Sequence, residues 1–296
     1  MTRRFRCSEA SEGRTESLVG SASTVTSFLL VEAPGSWGLD AIRDNRLPTE
    51  VKTGLARAAN RAGVRLLFIR RHGRRRSQAI TVFAAHAAPT HPWLETGSLD
   101  DPAELLGLDL ASLGAGRSPG LTPHDAPLFL VCTHGKHDVC CAERGRPLAN
   151  ALHQVLPSDT WEVSHIGGDR FAGNVLVLPD GLYYGRLSPE AAVDLAHRHT
   201  AGHLDLAHLR GRSAYPFAVQ AAEIFVRGEL GRTELAALTL VRSERQGDTT
   251  AAVFTDGTRS WDVCVETERS GGVRLTCQAD ADGQALAHRL VSLTPR

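Results

Sequence analysis

Apolar side chains first crowd together at Ser27-Phe28-Leu29-Leu30-Val31-Glu32, and Ala33-Pro34-Gly35 closes the run. Such a short apolar segment ended by turn formers predicts a buried strand. From residue 49 the period changes. Val51, Leu55, Ala58, Ala59 and Ala62 share one face of a 3.6-residue repeat and Gly63 follows, which predicts a helix over 49–62. Two β-rich runs come next, at 64–70 and 79–85, on either side of a basic run from Arg70 to Arg76 that reads as a solvated turn. Residues 86–124, rich in Pro, Gly, Asp and Leu, read as a connector with one short helix near 102–106.

The pattern then starts again. A buried strand is predicted at 127–132, and a helix at 146–156 with Pro147 in its first turn. Strands follow at 161–165 and 175–179, then a hairpin turn at Asp180-Gly181 and a strand at 182–187. Ser188-Pro189-Glu190 caps a helix that runs to about residue 199. Both stretches read β-α-β-β, the alternation of an α/β layered sheet built from two related halves. The remainder differs: a helix at 215–228, then β-rich runs at 238–244, 251–255, 260–266 and 272–277, with Asp256-Gly257 and Gly271-Gly272 as hairpin turns. That is a small α+β appendage. The expected units are an arm at 1–22, an N-terminal α/β lobe and connector at 23–120, a second α/β unit at 121–212, and the appendage at 213–296.

Composition narrows the function classes. The 296 residues carry 33 basic and 33 acidic side chains, so no net field draws the chain to nucleic acid or to an anionic membrane. No apolar stretch reaches the roughly 18–20 residues needed to span a bilayer. The basic opening, Met1-Thr2-Arg3-Arg4-Phe5-Arg6, is not followed by a hydrophobic segment, and a cytoplasmic location is expected. In a reducing compartment, clustered cysteines mean metal or redox chemistry more often than structural disulfides.

Three of the six cysteines fall in Cys132-Thr133-His134-Gly135-Lys136-His137-Asp138-Val139-Cys140-Cys141, which leaves the end of a buried strand. Ligands bind beyond the carboxyl ends of strands in open α/β sheets, and thiolates there suit soft metals and iron–sulfur clusters. Lys136 and nearby imidazoles favour the thiolate form. The competing reading is free cysteines packed in a core. A second segment, Ser164-His165-Ile166-Gly167-Gly168-Asp169-Arg170-Phe171-Ala172-Gly173-Asn174, also follows a strand. Its glycines let the backbone pass close to a bulky group, which makes Gly167, Gly168, Arg170 and Asn174 candidate cofactor contacts. His165 and Asp169 stand four apart across the Gly-Gly turn and can face one pocket. Alternatively, Arg170 and Asn174 make the turn an anion site. His197, His199, His203 and His208 have metal-like spacing but also read as the polar face of a helix and its exit. Cys264 and Cys277 are expected on neighbouring strands of the appendage, and Cys7 as a free thiol in the arm.

In these two segments, together with Leu178-Pro179-Asp180-Gly181-Leu182-Tyr183-Tyr184-Gly185-Arg186, Cys7-Ser8 and the stretch from Phe28 to Gly38, the chain resembles the sucrase/ferredoxin-like family. The resemblance covers most of residues 7–200. It implies a thioredoxin-like fold, a ferredoxin domain at 121–212, and one [2Fe-2S] cluster held by two cysteines and two histidines of an H-x-x-x-H motif. Carried over, Cys132 and Cys141 match the cysteines and His165 the first histidine. Asp169 stands where the second histidine would be. The fourth position is therefore open between Asp169 and Cys140. The reading is a [2Fe-2S] electron-transfer or redox-sensing protein with an unidentified redox partner. The rivals are a zinc-binding or cluster-free scaffold and a thiol-dependent oxidoreductase. The latter is disfavoured by the absence of a C-x-x-C motif.

Overall fold

Leu29, Leu30 and Val31 are apolar in succession because the strand they build has protein on both faces. The computed structural model describes residues 4–73 and 79–296, and throughout them the central strands are buried on either side. The chain opens with helix α1 (Cys7–Gly13) and strand β1 (Ser27–Glu32). Helices α2 (Ala41–Asp44) and α3 (Thr49–Ala62) lead to β2 (Arg65–Arg70), β3 (Ile80–His86) and β4 (Trp93–Leu99). A 3₁₀ turn at Pro102–Gly107, helix α4 (Leu110–Gly114) and the two-residue β5 (Thr122–Pro123) complete the first half. The second half holds β6 (Leu128–Cys132), α5 (Val139–Val155), β7 (Thr160–Val163), β8 (Val175–Leu178), β9 (Leu182–Tyr184), α6 (Pro189–Thr200) and β10 (Leu209–Arg212). Helix α7 (Phe217–Leu230) precedes β11 (Thr239–Gln246), β12 (Thr249–Thr255), β13 (Ser260–Val273) and β14 (Gly283–Pro295).

Strands β1 to β10 form one sheet in the order β10-β9-β8-β6-β7-β2-β1-β3-β4-β5. Each half repeats one arrangement. A parallel pair joined through helix (β1 with β2, β6 with β7) is followed by an antiparallel third strand beside the first, then a fourth. This is a thioredoxin-like α/β layer written twice, as the repeated β-α-β-β pattern predicted. The halves meet where β2 and β7 run antiparallel, with Ile69 opposite Val163 and Arg70 opposite Glu162. Arg70 seals that seam: its Nη2 lies 2.6 Å from Glu162 Oε2, which also accepts from Thr133 Oγ1 at 2.7 Å. Phe28, Leu30, Leu67, Leu130, Cys132 and Trp161 pack on one face of the joined sheet. On the other face Leu29 and Val31 lie in the cluster under α3, and Phe129 and Val131 in the cluster under α5 and α6.

The four-stranded sheet β11-β12-β13-β14 is separate and packs its apolar face on α7 through Val219, Val226, Phe254 and Trp261. Among the described residues no helix is long and apolar enough to cross a membrane.

Several expectations are corrected. The segment expected as a loose arm carries helix α1, which is bound to α5 by ion pairs of Arg6 with Glu143 and Glu12 with Arg144. The connector contains β4, hidden in the sequence by the polar Glu95-Thr96-Gly97-Ser98 but paired with β3 over seven residues. Helix α5 begins at Val139 rather than near Pro147, because Asp138 caps it: the Asp138 side chain accepts from Cys140 N at 2.9 Å. Pro147 therefore stands inside the helix. Gly271-Gly272 is not a turn. Strand β13 runs through it with a register shift and ends at Val273, so of the segment expected as a strand at 272–277 residues 274–277 lie in the β13–β14 loop, which carries Cys277 away from the sheet. Of the basic run, Arg70 pairs with Glu162 and Arg71 lies over the Trp161 ring, whereas residues 74–76 lie outside the described residues.

Candidate metal centre

Because β6 and β7 are parallel, their carboxyl ends open on the same side of the sheet. Cys132 is the last residue of β6, and His165 follows the end of β7 by two residues. Cys141 comes back to them from the first turn of α5. Helix and strand approach closely here only because residue 145 has no side chain: a Cβ on Gly145 would sit 2.1 Å from the carbonyl oxygen of Cys132. The structure thus brings together one ligand-type atom from each of Cys132, Cys141 and His165, all within 4.8 Å of one another. Both sulfurs are buried.

Asp169 closes the group. Its Oδ1 lies 2.9 Å from His165 Nδ1 and accepts from Cys141 Sγ at 3.1 Å. The Gly-Gly turn makes this possible. Gly167 and Gly168 take φ values of +96° and +80°, a region that favours glycine, and swing Asp169 back beneath His165. That turn is held from below by Arg210, buried and invisible as a functional residue in the sequence. Its guanidinium donates to Gly167 O and to Asn174 Oδ1, both at 2.9 Å, while Asn174 Nδ2 donates to Gly168 O at 2.8 Å. Asn174 is therefore spent on holding the turn. Arg170 points elsewhere, its Nε 2.6 Å from Glu16 Oε1 and its guanidinium over the Phe171 ring. The anion-site reading of Arg170 and Asn174 is corrected accordingly: neither group is free to take one.

Two histidines inside the cysteine loop also belong to the site, although the sequence reading gave them no role beyond favouring thiolate. His134 Nδ1 accepts from the backbone N–H of His165 at 3.3 Å, so its other nitrogen donates to Gly38 O at 2.9 Å, and burial holds this ring neutral by pushing its pKa down. His137 stacks on His165 with ring centroids 3.8 Å apart, its Nε2 3.7 Å from Asp169 Oδ2. Beside the three rings a cleft of about 460 Å³ opens to solvent, bordered by Leu39, Ile42 and Arg65.

The electrostatics favour ligand-ready donors. The Cys141 thiol hydrogen-bonds to Cys132, which holds the Cys132 pKa well below and the Cys141 pKa well above the usual thiol range. Burial opposes charge on His165, but Asp169 and Cys132 outweigh it and push its pKa up to about 9. Burial likewise opposes ionisation of Asp169, and the neighbouring imidazole wins, keeping its carboxyl below the ordinary range. A thiolate, an imidazolium and a carboxylate thus share a buried site, and the imidazole proton is one that a metal would displace.

Cys140 lies elsewhere. One residue before Cys141 on a helix, it faces about 100° away, against Cys7 and Cys277 at Sγ–Sγ distances of 3.7 and 3.3 Å. As a candidate fourth ligand at His165 it is corrected by this placement. The histidines at 199, 203 and 208 each have a separate polar contact, with Asp180, Thr233 and Asp205 respectively.

The profile of the sucrase/ferredoxin-like family matches residues 18–211. The chain belongs to the sucrase/ferredoxin-like family. Curated relatives include "Altered inheritance of mitochondria protein 32" of Meyerozyma guilliermondii, 37% identical over 73 residues that make up 21% of this chain and 26% of that protein. The protein of the same name from Clavispora lusitaniae is 38% identical over 77 residues, 23% of this chain and 28% of the relative. The matched region thus spans about a quarter of the length of these relatives. Among solved structures, two of a thioredoxin-like [2Fe-2S] ferredoxin from Aquifex aeolicus are similar to this sucrase/ferredoxin-like chain at 18% identity, with TM-scores of 0.26 and 0.27. They cover 28% and 31% of it and 97% of the ferredoxin.

Proposed function

We propose that this protein is a [2Fe-2S] redox protein whose cluster is held by Cys132, Cys141, His165 and Asp169. The observation that carries the reading is the convergence of two buried cysteine sulfurs and a histidine nitrogen at the carboxyl ends of β6 and β7, with Asp169 in contact with two of the three. The donor set fits the group: thiolates are the standard ligands of such clusters, and imidazole replaces them on one iron in Rieske centres. Asp169 occupies the open fourth position, because Cys140 faces another group.

When bound, the cluster supplies one-electron transfer. The chain's own residues set its surroundings. Gly145 admits the close approach of α5 to Cys132, Arg210 and Asn174 fix the turn that carries Asp169, and His134 pins the backbone of His165. The cleft beside His137 and His165 gives a redox partner a short path to the centre, since the rest of the ligand set is buried. Reaction takes place in the cytosol, and neither nucleic acid nor membrane takes part.

The test is anaerobic purification followed by iron and acid-labile sulfide assay with visible absorption spectroscopy. Iron and sulfide in equal amounts, lost in Cys132→Ser and in His165→Ala, are the expected result. A colourless protein whose metal content is unchanged in both variants overturns the reading.

A further inference from the structure

Away from His165, three sulfurs from the two ends and the middle of the chain meet around one buried carboxylate. Cys7 comes from α1, Cys140 from the first turn of α5, and Cys277 from the β13–β14 loop. Their Sγ–Sγ distances are 3.7 Å (Cys7 to Cys140), 3.5 Å (Cys7 to Cys277) and 3.3 Å (Cys140 to Cys277). Asp138 Oδ2 lies 3.6 Å from Cys7 Sγ and accepts from Cys277 N at 2.6 Å. Cys7, Asp138 and Cys140 are buried, and the four donor atoms all fall within 4.8 Å of one another.

We propose that Cys7, Cys140, Cys277 and Asp138 form a second metal site, built for a single divalent cation of the zinc type and independent of the cluster. Zinc–sulfur bonds of 2.3 Å at tetrahedral angles set sulfur–sulfur edges of about 3.8 Å. All three observed edges lie within roughly half an ångström of that value, so a cation enters with small outward shifts of the side chains. A disulfide accounts for the arrangement less well. It would draw one edge to about 2.05 Å and leave the third thiol unused against the carboxylate. Asp138 caps α5 through Oδ1, which leaves Oδ2 as the carboxylate atom directed among the thiols, 3.6 Å from Cys7 Sγ.

The site has a structural logic. Cys7 and Cys277 are 270 positions apart, and the metal would clip both ends of the chain to the helix whose next residue, Cys141, faces the candidate cluster. Metal binding of this kind contributes directly to folding free energy.

The experiment is metal analysis and native mass spectrometry of the full chain, with zinc and then cobalt(II) as probes. One zinc per chain is expected beyond any iron, and cobalt substitution should give the absorption of a tetrahedral thiolate site. Cys277→Ser, in a half-buried loop, should weaken zinc binding at least about tenfold while iron and sulfide stay unchanged. Cys7→Ser gives the same readout from the other end of the chain. Cys132→Ser is run in parallel: it should keep this zinc whether or not a cluster forms, so failure of the cluster reading cannot imitate failure here. Unchanged zinc affinity in both Cys277→Ser and Cys7→Ser overturns the proposal. So does loss of iron and sulfide, instead of zinc, in Cys277→Ser. A Cys140–Cys277 disulfide in protein isolated under reducing conditions with zinc present overturns it as well.

Discussion

Cys140 and Cys141 are adjacent in the chain but face two different groups: Cys141 Sγ lies 3.1 Å from Asp169 Oδ1, whereas Cys140 Sγ lies 3.3 Å from Cys277 Sγ. The helical step of about 100° per residue turns one sulfur toward β6 and β7 and the other toward α1. Both residues lie in the first turn of α5, yet only Cys141 faces the group at His165.

The adjacent pair makes a clean test. Cys141→Ala should abolish bound iron and visible absorption after anaerobic purification, and Cys140→Ala should leave both unchanged. Iron loss in Cys140→Ala alone would return Cys140 to the cluster.

In the proposed cluster, Asp169 would be an anionic ligand at the position where the H-x-x-x-H motif has a neutral histidine. An anionic donor stabilises the oxidised centre, so Asp169→His should raise the reduction potential, read by voltammetry of the purified protein. Asp169→Ala should lose the cluster. Retention in Asp169→Ala with loss in His137→Ala would transfer the fourth position to His137, whose Nε2 lies 3.7 Å from Asp169 Oδ2.

Two helical glycines should behave oppositely. Gly145→Ala forces a methyl against the Cys132 carbonyl, a backbone contact that cannot rotate away. It should cost about 1–3 kcal/mol in urea unfolding and lower iron content, because α5 must lift from β6. Gly228→Ala in α7 meets nothing within 4 Å and should stabilise the protein by about 0.5–1 kcal/mol. Equal effects at the two positions would remove the packing argument.

The sequence was most legible where local pattern and burial agree. Phe28 to Val31 and Leu128 to Val131 are apolar without a break because both faces of those strands are covered, and Ser188 caps α6 where expected. Cys132, Cys141 and His165 stood out because they lie at strand and helix ends, where side chains of different segments converge. What failed depended on distant partners. β14 alternates well enough to pair, but only β13 beside it makes it a strand, and nothing near residue 277 in the sequence says that its loop reaches back to Cys7. Arg210 sits in Leu209-Arg210-Gly211-Arg212, which reads as polar surface, yet β10 is a buried edge that aims Arg210 under the Gly167-Gly168 turn. Pro147 misled because a proline in a helical pattern is read as a start, whereas the Asp138 cap begins the helix two turns earlier.

Away from the metal groups, Glu223 supplies a test of pH dependence. It lies buried in α7 between Arg227, whose Nε is 3.0 Å from Oε1, and Arg212, whose Nη2 is 3.5 Å away. Burial alone would raise its pKa, but the two guanidiniums outweigh burial and hold the carboxyl below its ordinary range. A carboxyl depressed in the folded state adds stability that is fully present above its unfolded pKa, near 4.3, and is lost as pH falls through the folded value. Glu223→Gln leaves two buried arginines short of their partner and should cost about 3–5 kcal/mol at neutral pH. As pH falls below about 4.3 the unfolded state binds the proton first, so the gap between the two proteins should narrow progressively until the folded carboxyl also protonates. Urea unfolding of both proteins across this range measures it, and a gap that stays constant from neutral to acidic pH would mean that Glu223 contributes packing rather than charge.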